Sequence, residues 1–204
     1  MIDCKNRIVE EAALLFRTYG IRAVTMDMIA SNLGISKRTI YENFRDKDEL
    51  LVHVMKCMEE KQKELVEHYL DVSDNVIEAL FTLLKLSSDH FRSMSAAFFI
   101  DIKKYHHTLL QKGVCGLPDL SGSMKIVEKG VDTGIFRSDI DREIVNRGMY
   151  GIFRLTGDFE LFPSGDFSRQ AIVKHLYINY LRGISTAEGI RLINEMEPGL
   201  EINM

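Results

Sequence analysis

Residues 30–44 read Ala30-Ser31-Asn32-Leu33-Gly34-Ile35-Ser36-Lys37-Arg38-Thr39-Ile40-Tyr41-Glu42-Asn43-Phe44. Leu33 closes an apolar helical face, Gly34 supplies the positive φ of a tight turn, and Ser36 is placed to cap a second helix. Within that helix Ile40 and Phe44 stand four apart and give it one buried side. Its other side carries Lys37, Arg38, Thr39, Tyr41 and Asn43, residue types that meet phosphates and base edges. Two short helices joined by a Gly-centred turn form a helix-turn-helix, but an ordinary helical hairpin has the same pattern. The flanks decide between them.

Upstream, Ile8, Ala12, Leu15, Phe16 and Tyr19 recur at helical spacing over residues 3–19, and Gly20 ends that helix. Thr25 then caps a helix from Met26 to Leu33, with Met28, Ile29 and Leu33 as its predicted buried face and Ala30 small enough for a close crossing. Downstream, Asp46 and Glu49 form a capping box that opens a fourth helix. The apolar cluster Phe16, Ile29, Leu33, Ile35, Ile40 and Phe44, joined by Leu50 and Leu51, makes a small domain over residues 1–46. A core of that size is marginal alone, so residues 47–204 are expected to support it.

The chain has 204 residues, enough for a small domain joined to a larger one, and its three prolines stand at 118, 163 and 198, leaving most of it free to be helical. Cys4, Cys57 and Cys115 are odd in number and irregularly spaced, which fits reduced thiols in the cytoplasm rather than a disulfide framework. Charges at Asp3, Arg7, Glu10, Glu11 and Arg17 interrupt any leader-like apolar run. No uncharged apolar stretch approaches the ~18 residues that span a membrane, so no membrane association is expected. Net charge is −4, yet residues 1–50 hold eight basic and eight acidic residues, so the excess lies entirely downstream. An acidic total does not exclude nucleic acid, because the placement of cations decides. Arg22, Lys37, Arg38, Arg45 and Lys47 all fall in the turns and second helix of the motif.

The pattern Thr25-x-x-x-Ile29-Ala30-x-x-Leu33-Gly34-Ile35-Ser36-Lys37-x-Thr39-Ile40-Tyr41-x-x-Phe44-x-x-Lys47-x-x-Leu50-Leu51 resembles the DNA-binding domain of the tetracycline-repressor (TetR) family of bacterial transcriptional regulators. The match runs from about Arg7 to Leu51 and covers every helix of that domain. The resemblance implies that Thr25, Tyr41 and Lys47 anchor phosphates and that Ser36, Lys37, Arg38, Thr39 and Asn43 belong to the element entering the major groove. Arg38 then reads guanine and Asn43 adenine by paired hydrogen bonds. The family often has Gly or Ala where Arg38 stands, and an aromatic or His where Asn43 stands. These two departures are where an operator preference peculiar to this chain is expected.

From Lys47 the fourth helix is predicted to reach about Tyr69, followed by helices near 74–90, 92–112, 121–133, 141–161, 168–183 and 187–196, the last opened by Ser185 and Glu188. The fold class is all-α: a three-helix DNA-binding domain followed by a helical bundle. The apolar stripes holding Ile144, Gly148, Ile152, Ile172, Leu176 and Tyr180 exceed what a monomer needs on its surface, and the family pairs subunits through the corresponding helices. A homodimer on a palindromic operator is therefore implied, with half-sites roughly 34–36 Å apart. The resemblance also implies an effector pocket among the middle helices, where Phe81, Leu84, Phe91, Met94, Phe98, Phe99, Ile102, Tyr105 and Phe153 supply an apolar lining suited to a hydrophobic small molecule.

Other chemistries have less behind them. His53 and Cys57 share a helix face but lack a second ligand pair, so no metal or cofactor is expected. Asp101 near His106 and His107 suggests acid–base work, but no nucleophile elbow, phosphate loop or paired-carboxylate signature accompanies them, so no enzyme is expected. The functional reading is a ligand-responsive transcriptional regulator, usually a repressor in this family. Its alternative is a helical small-molecule-binding protein whose helix-turn-helix no longer binds DNA.

Overall fold

The computed structural model of the chain describes residues 4–92, 94–111, 119–163 and 165–202. They are all-helical: α1 (Cys4–Tyr19), α2 (Met26–Leu33), α3 (Lys37–Asn43), α4 (Lys47–Val72), α5 (Val76–Arg92), α6 (Ala96–Gln111), α7 (Ser121–Asp132) and α8 (Arg142–Thr156) come first. A continuous helical run follows, α9 (Arg169–Ile172), a π-helical stretch Val173–Ile178 and α10 (Asn179–Ile184), before α11 (Ala187–Met196). The described residues contain no strand beyond an isolated antiparallel bridge between Phe136 and Ser185.

The chain divides into two compact units, Met1–Lys61 with Ser93–Pro118, and Gln62–Arg92 with Asp119–Met204. α4 thus contributes its first part to one unit and its last turns to the other. α6 falls in the same unit as the helix-turn-helix.

In the first unit, Ile8, Phe16, Ile29, Ile40, Phe44 and Leu50 are buried together, with Phe98 of α6 added to them. Two expectations for this core need correcting. Tyr19 is exposed, as is Met28 at 38 %, and Met26 is the buried methionine of α2. With the cap at Thr25, a helical wheel starting at Met26 turns positions 26, 29 and 30 inward, and position 28 falls outside that arc. The second unit packs Val66 and Leu70 of α4, Phe81 of α5, Val127 of α7, Met149 of α8 and Leu181 of α10 around one core, which also takes in Leu200 and Ile202.

Caps set the helix ends as the sequence indicates, with two shifts. Asp46 Oδ1 accepts the Glu49 N–H at 2.8 Å, but Glu49 Oε2 returns to the Arg45 N–H at 2.8 Å, one residue before the expected partner. At α11 the cap is Thr186, whose hydroxyl accepts the Gly189 N–H at 3.3 Å, whereas Ser185 donates to the Leu181 carbonyl at 2.7 Å. Ser185 is held by its bridge to Phe136 and is unavailable as a cap. α8 also stops at Thr156, short of the expected 161, where Gly157 donates to the Arg154 and Leu155 carbonyls.

The turn of the motif rests on Gly34, at φ +66°. A Cβ added there would meet nothing within 4 Å, so only backbone conformation opposes a side chain. Gly34→Ala is accordingly expected to lower the unfolding free energy by about 1–2 kcal/mol, and Gly34→Asn by less, because Asn tolerates this region. Urea unfolding of the three proteins measures the difference; equal stability for Gly and Ala would contradict it.

Candidate nucleic-acid interface

α3 is seven residues long and is fixed from beneath and at both ends. Ile40 is fully buried, and Phe44 closes the helix with its N–H on the Ile40 carbonyl at 2.9 Å. The Phe44 ring meets the His53 ring edge-on at 5.2 Å, and the Lys5 ammonium lies 5.3 Å from its centroid. His53 Nδ1 is within 3.0 Å of the Glu49 carbonyl, which gives this histidine a packing role. At the start of α3, Ser36 Oγ accepts the Thr39 N–H at 3.1 Å, and the two hydroxyls are 2.9 Å apart. The preceding helix is capped in the same way, with the Met28 N–H on Thr25 Oγ1 at 3.2 Å.

What α3 presents to solvent is Lys37, Arg38, Tyr41 and Glu42. Each cation has a carboxylate at hand. Lys37 Nζ is 2.7 Å from Asp27, which raises its pKa above the ordinary lysine value through that hydrogen bond and charge. Arg38 Nε is 2.8 Å from Glu42 one turn on, with the Arg38 side chain 88 % exposed. Arg45 Nε pairs with Asp46 at 3.0 Å. Exposed pairs of this kind hold little free energy, typically 0–1 kcal/mol, so a phosphate can replace the carboxylate at low cost. The Lys37 ammonium also lies 6.0 Å from the Tyr41 ring.

Two of the expected contact residues are engaged inside the protein. Asn43 Nδ2 donates to the Thr39 carbonyl at 2.8 Å, so its amide is turned along its own helix. Lys47 Nζ donates to the Val24 carbonyl at 2.7 Å and the Arg22 carbonyl at 3.5 Å. Burial lowers the Lys47 pKa, while the charges of Asp101 and Asp48 oppose that shift. The carboxylates Asp27 and Glu42 were not among the sequence candidates. The i,i+4 spacing of Arg38 and Glu42 was the available signal, whereas Asp27 meets Lys37 across the turn without any local pattern.

The residues expected to line one pocket do not gather in one cluster. Phe98 lies in the core of the helix-turn-helix unit with Met94, Ile102 and Tyr105 packed against it. Phe81 and Leu84 are in the core of the other unit, where Phe153 packs against Tyr177 at 6.1 Å between centroids. The side chain of Phe91 lies outside the described residues. Of the expected pairing residues, Ile144 is 69 % exposed, Ile152, Leu176 and Tyr180 are half-buried, and Ile172 is buried. Gly148 serves a close approach inside the chain: an added Cβ would lie 2.4 Å from the Tyr180 hydroxyl, which donates to the Val145 carbonyl at 3.2 Å.

Residues 8–54 match a family profile described as "Bacterial regulatory proteins, tetR family". The HTH-type transcriptional repressor KstR2 of Rhodococcus jostii (strain RHA1) is 32% identical over 152 residues, covering 70% of this chain and 72% of that protein. The uncharacterized HTH-type transcriptional regulator YhgD of Bacillus subtilis (strain 168) is 37% identical over 93 residues, or 44% of this chain and 49% of that protein. The chain thus spans about half the length of YhgD. Among solved structures, RolR without ligand superposes with a TM-score of 0.66 at 19% identity, over 97% of this chain and 100% of that one, a likeness of fold.

Lys47→Met keeps the apolar stem and removes the grip on the Val24 carbonyl. It is expected to lower the unfolding free energy by about 1–2 kcal/mol, read by urea denaturation in the absence of DNA. Stability unchanged from wild type would leave Lys47 with no structural role.

Proposed function

The chain belongs to the tetR family of bacterial regulatory proteins, and from that premise we propose a repressor that binds a palindromic operator as a homodimer and is released by a small-molecule effector. The observation that carries the proposal is α3: a short helix anchored by Ile40 and Phe44, with Lys37, Arg38 and Tyr41 exposed on its outer side. As a transcriptional regulator it is not an enzyme.

DNA binding falls to residues 1–46 with Lys47, and effector binding and pairing to the rest of 47–204. Lys37 and Tyr41 meet phosphates, joined by the capped start of α2 at Thr25, where an anion is favoured. Arg38 leaves Glu42 and reads a guanine edge. Asn43 contributes at a base only by releasing the Thr39 carbonyl, so Arg38 carries more of the sequence preference. Lys47 acts on DNA mainly by fixing the turn before α2. In the second unit, the apolar surroundings of Phe81, Leu84 and Phe153 favour a hydrophobic effector.

Pairing of subunits is supported by the large apolar side chain of Ile144, exposed on α8 together with Gly151. Ile172 is withdrawn from that face by its burial. Effector release follows from linkage: a ligand that prefers the conformer with misplaced recognition helices weakens operator binding by the ratio of its two affinities.

Enrichment of a random duplex pool by the full chain, followed by mobility shifts at rising salt, is the primary test. An enriched inverted repeat and a steep loss of affinity with salt are expected. Failure to enrich any duplex would favour a small-molecule-binding protein without DNA activity. On the enriched duplex, Arg38→Ala should flatten discrimination at one base pair per half-site, a loss of about 1–3 kcal/mol, and equal losses on every duplex would remove it as a base reader. Ile144→Glu should convert the dimer to a monomer in sedimentation with no loss of helicity; a wild-type chain already monomeric at micromolar concentration would contradict the pairing.

A further inference from the structure

Asp101 has no part in the DNA-facing surface, yet it is 5 % exposed in the helix-turn-helix unit. Its Oδ2 accepts the Arg22 backbone N–H at 2.8 Å, and its Oδ1 lies 3.7 Å from Arg22 Nε. The Arg22 carbonyl, on the other side of the same residue, is 3.5 Å from Lys47 Nζ, which also takes the neighbouring Val24 carbonyl. The turn between α1 and α2 is therefore held from two helices, by an anion on α6 and a cation on α4.

The approach of α6 is built into the sequence of that turn. Gly20 has φ +84°, and a Cβ there would stand 2.9 Å from the Ala97 Cβ and 3.1 Å from Asp101 Oδ2. The Ser95 N–H donates to the Arg17 carbonyl at 2.8 Å, and Phe98 is buried in the same core. The start of α6 thus bears on the end of α1 and on the turn that leads into the Thr25 cap. A buried carboxylate on a backbone N–H fixes both position and direction, which apolar contact alone does not.

We propose that Asp101 is a positioning residue: through the Arg22 peptide it sets where α2 begins, and a displacement of α6 reaches the recognition helix by this bond. The inference rests on the DNA-binding reading above.

The test is amide hydrogen exchange of the full chain, free and bound to a duplex enriched by the wild type. Linkage is reciprocal, so DNA held by α3 must slow exchange in α6. In the wild type, residues 96–105 and the Arg22 amide are expected to slow together, several-fold. Asp101→Ala should bind the duplex more weakly and keep the slowing over 25–47 while losing it over 96–105. Asp101→Asn, which retains an oxygen for the Arg22 N–H, should restore it in part. Slowing of α6 in Asp101→Ala equal to wild type overturns the proposal. If that variant does not fold, the wild type alone decides: unequal slowing of Arg22 and α6, or none in α6, overturns it. Absence of any bound duplex removes the DNA-binding reading as well, whereas a bound duplex with an indifferent α6 removes this inference only.

Discussion

A helix of two turns does not persist by itself in water, and Lys37–Asn43 is ordered because Ile40 and Phe44 are buried beneath it. Everything proposed for its outer face depends on that burial. Ser36 and Gly34 decide where the helix begins and how the chain enters it, but neither holds it down. Phe44 does double service, since it ends α3 and its ring meets both His53 and the Lys5 ammonium. His53, which shares a helix face with Cys57, is the edge-on neighbour of that ring.

Two sets of charged side chains in the unit divide the labour. Exposed cations on α3 and beside it hold exposed carboxylates that they can exchange for phosphate. Half-buried or buried charges, Lys47 and Asp101, are instead turned onto backbone groups of the α1–α2 turn. The first set is suited to binding and release. The second orients the scaffold, because a charge withdrawn from water needs a fixed partner.

Local signals are legible in the sequence. The all-α class, the cap residues Thr25, Ser36 and Asp46, and the left-handed Gly34 follow from residue chemistry within a few positions. Structure and local pattern differ where two patterns compete: Met26 rather than Met28 faces inward, and Thr186 caps α11 because Ser185 is held by its bridge to Phe136. Long-range features left no trace. Asp101 and Arg22 are 79 positions apart, and nothing near either one announces the other. Phe98 has the same apolar pattern as Phe81 but fills a different core, a distinction the pattern does not carry. The face of α3 was legible as a set of residue types, whereas its pairing with Asp27 depended on the geometry of the turn.

A repressor of the proposed kind places α3 in the major groove. Methylation interference on a duplex enriched by the full chain probes that placement, because methylation of guanine N7 blocks the groove and leaves the backbone untouched. Interference is expected at guanines in two symmetric half-sites about one helical turn apart, with the effect of one guanine per half-site abolished in Arg38→Ala. Binding indifferent to N7 methylation throughout the duplex would contradict it.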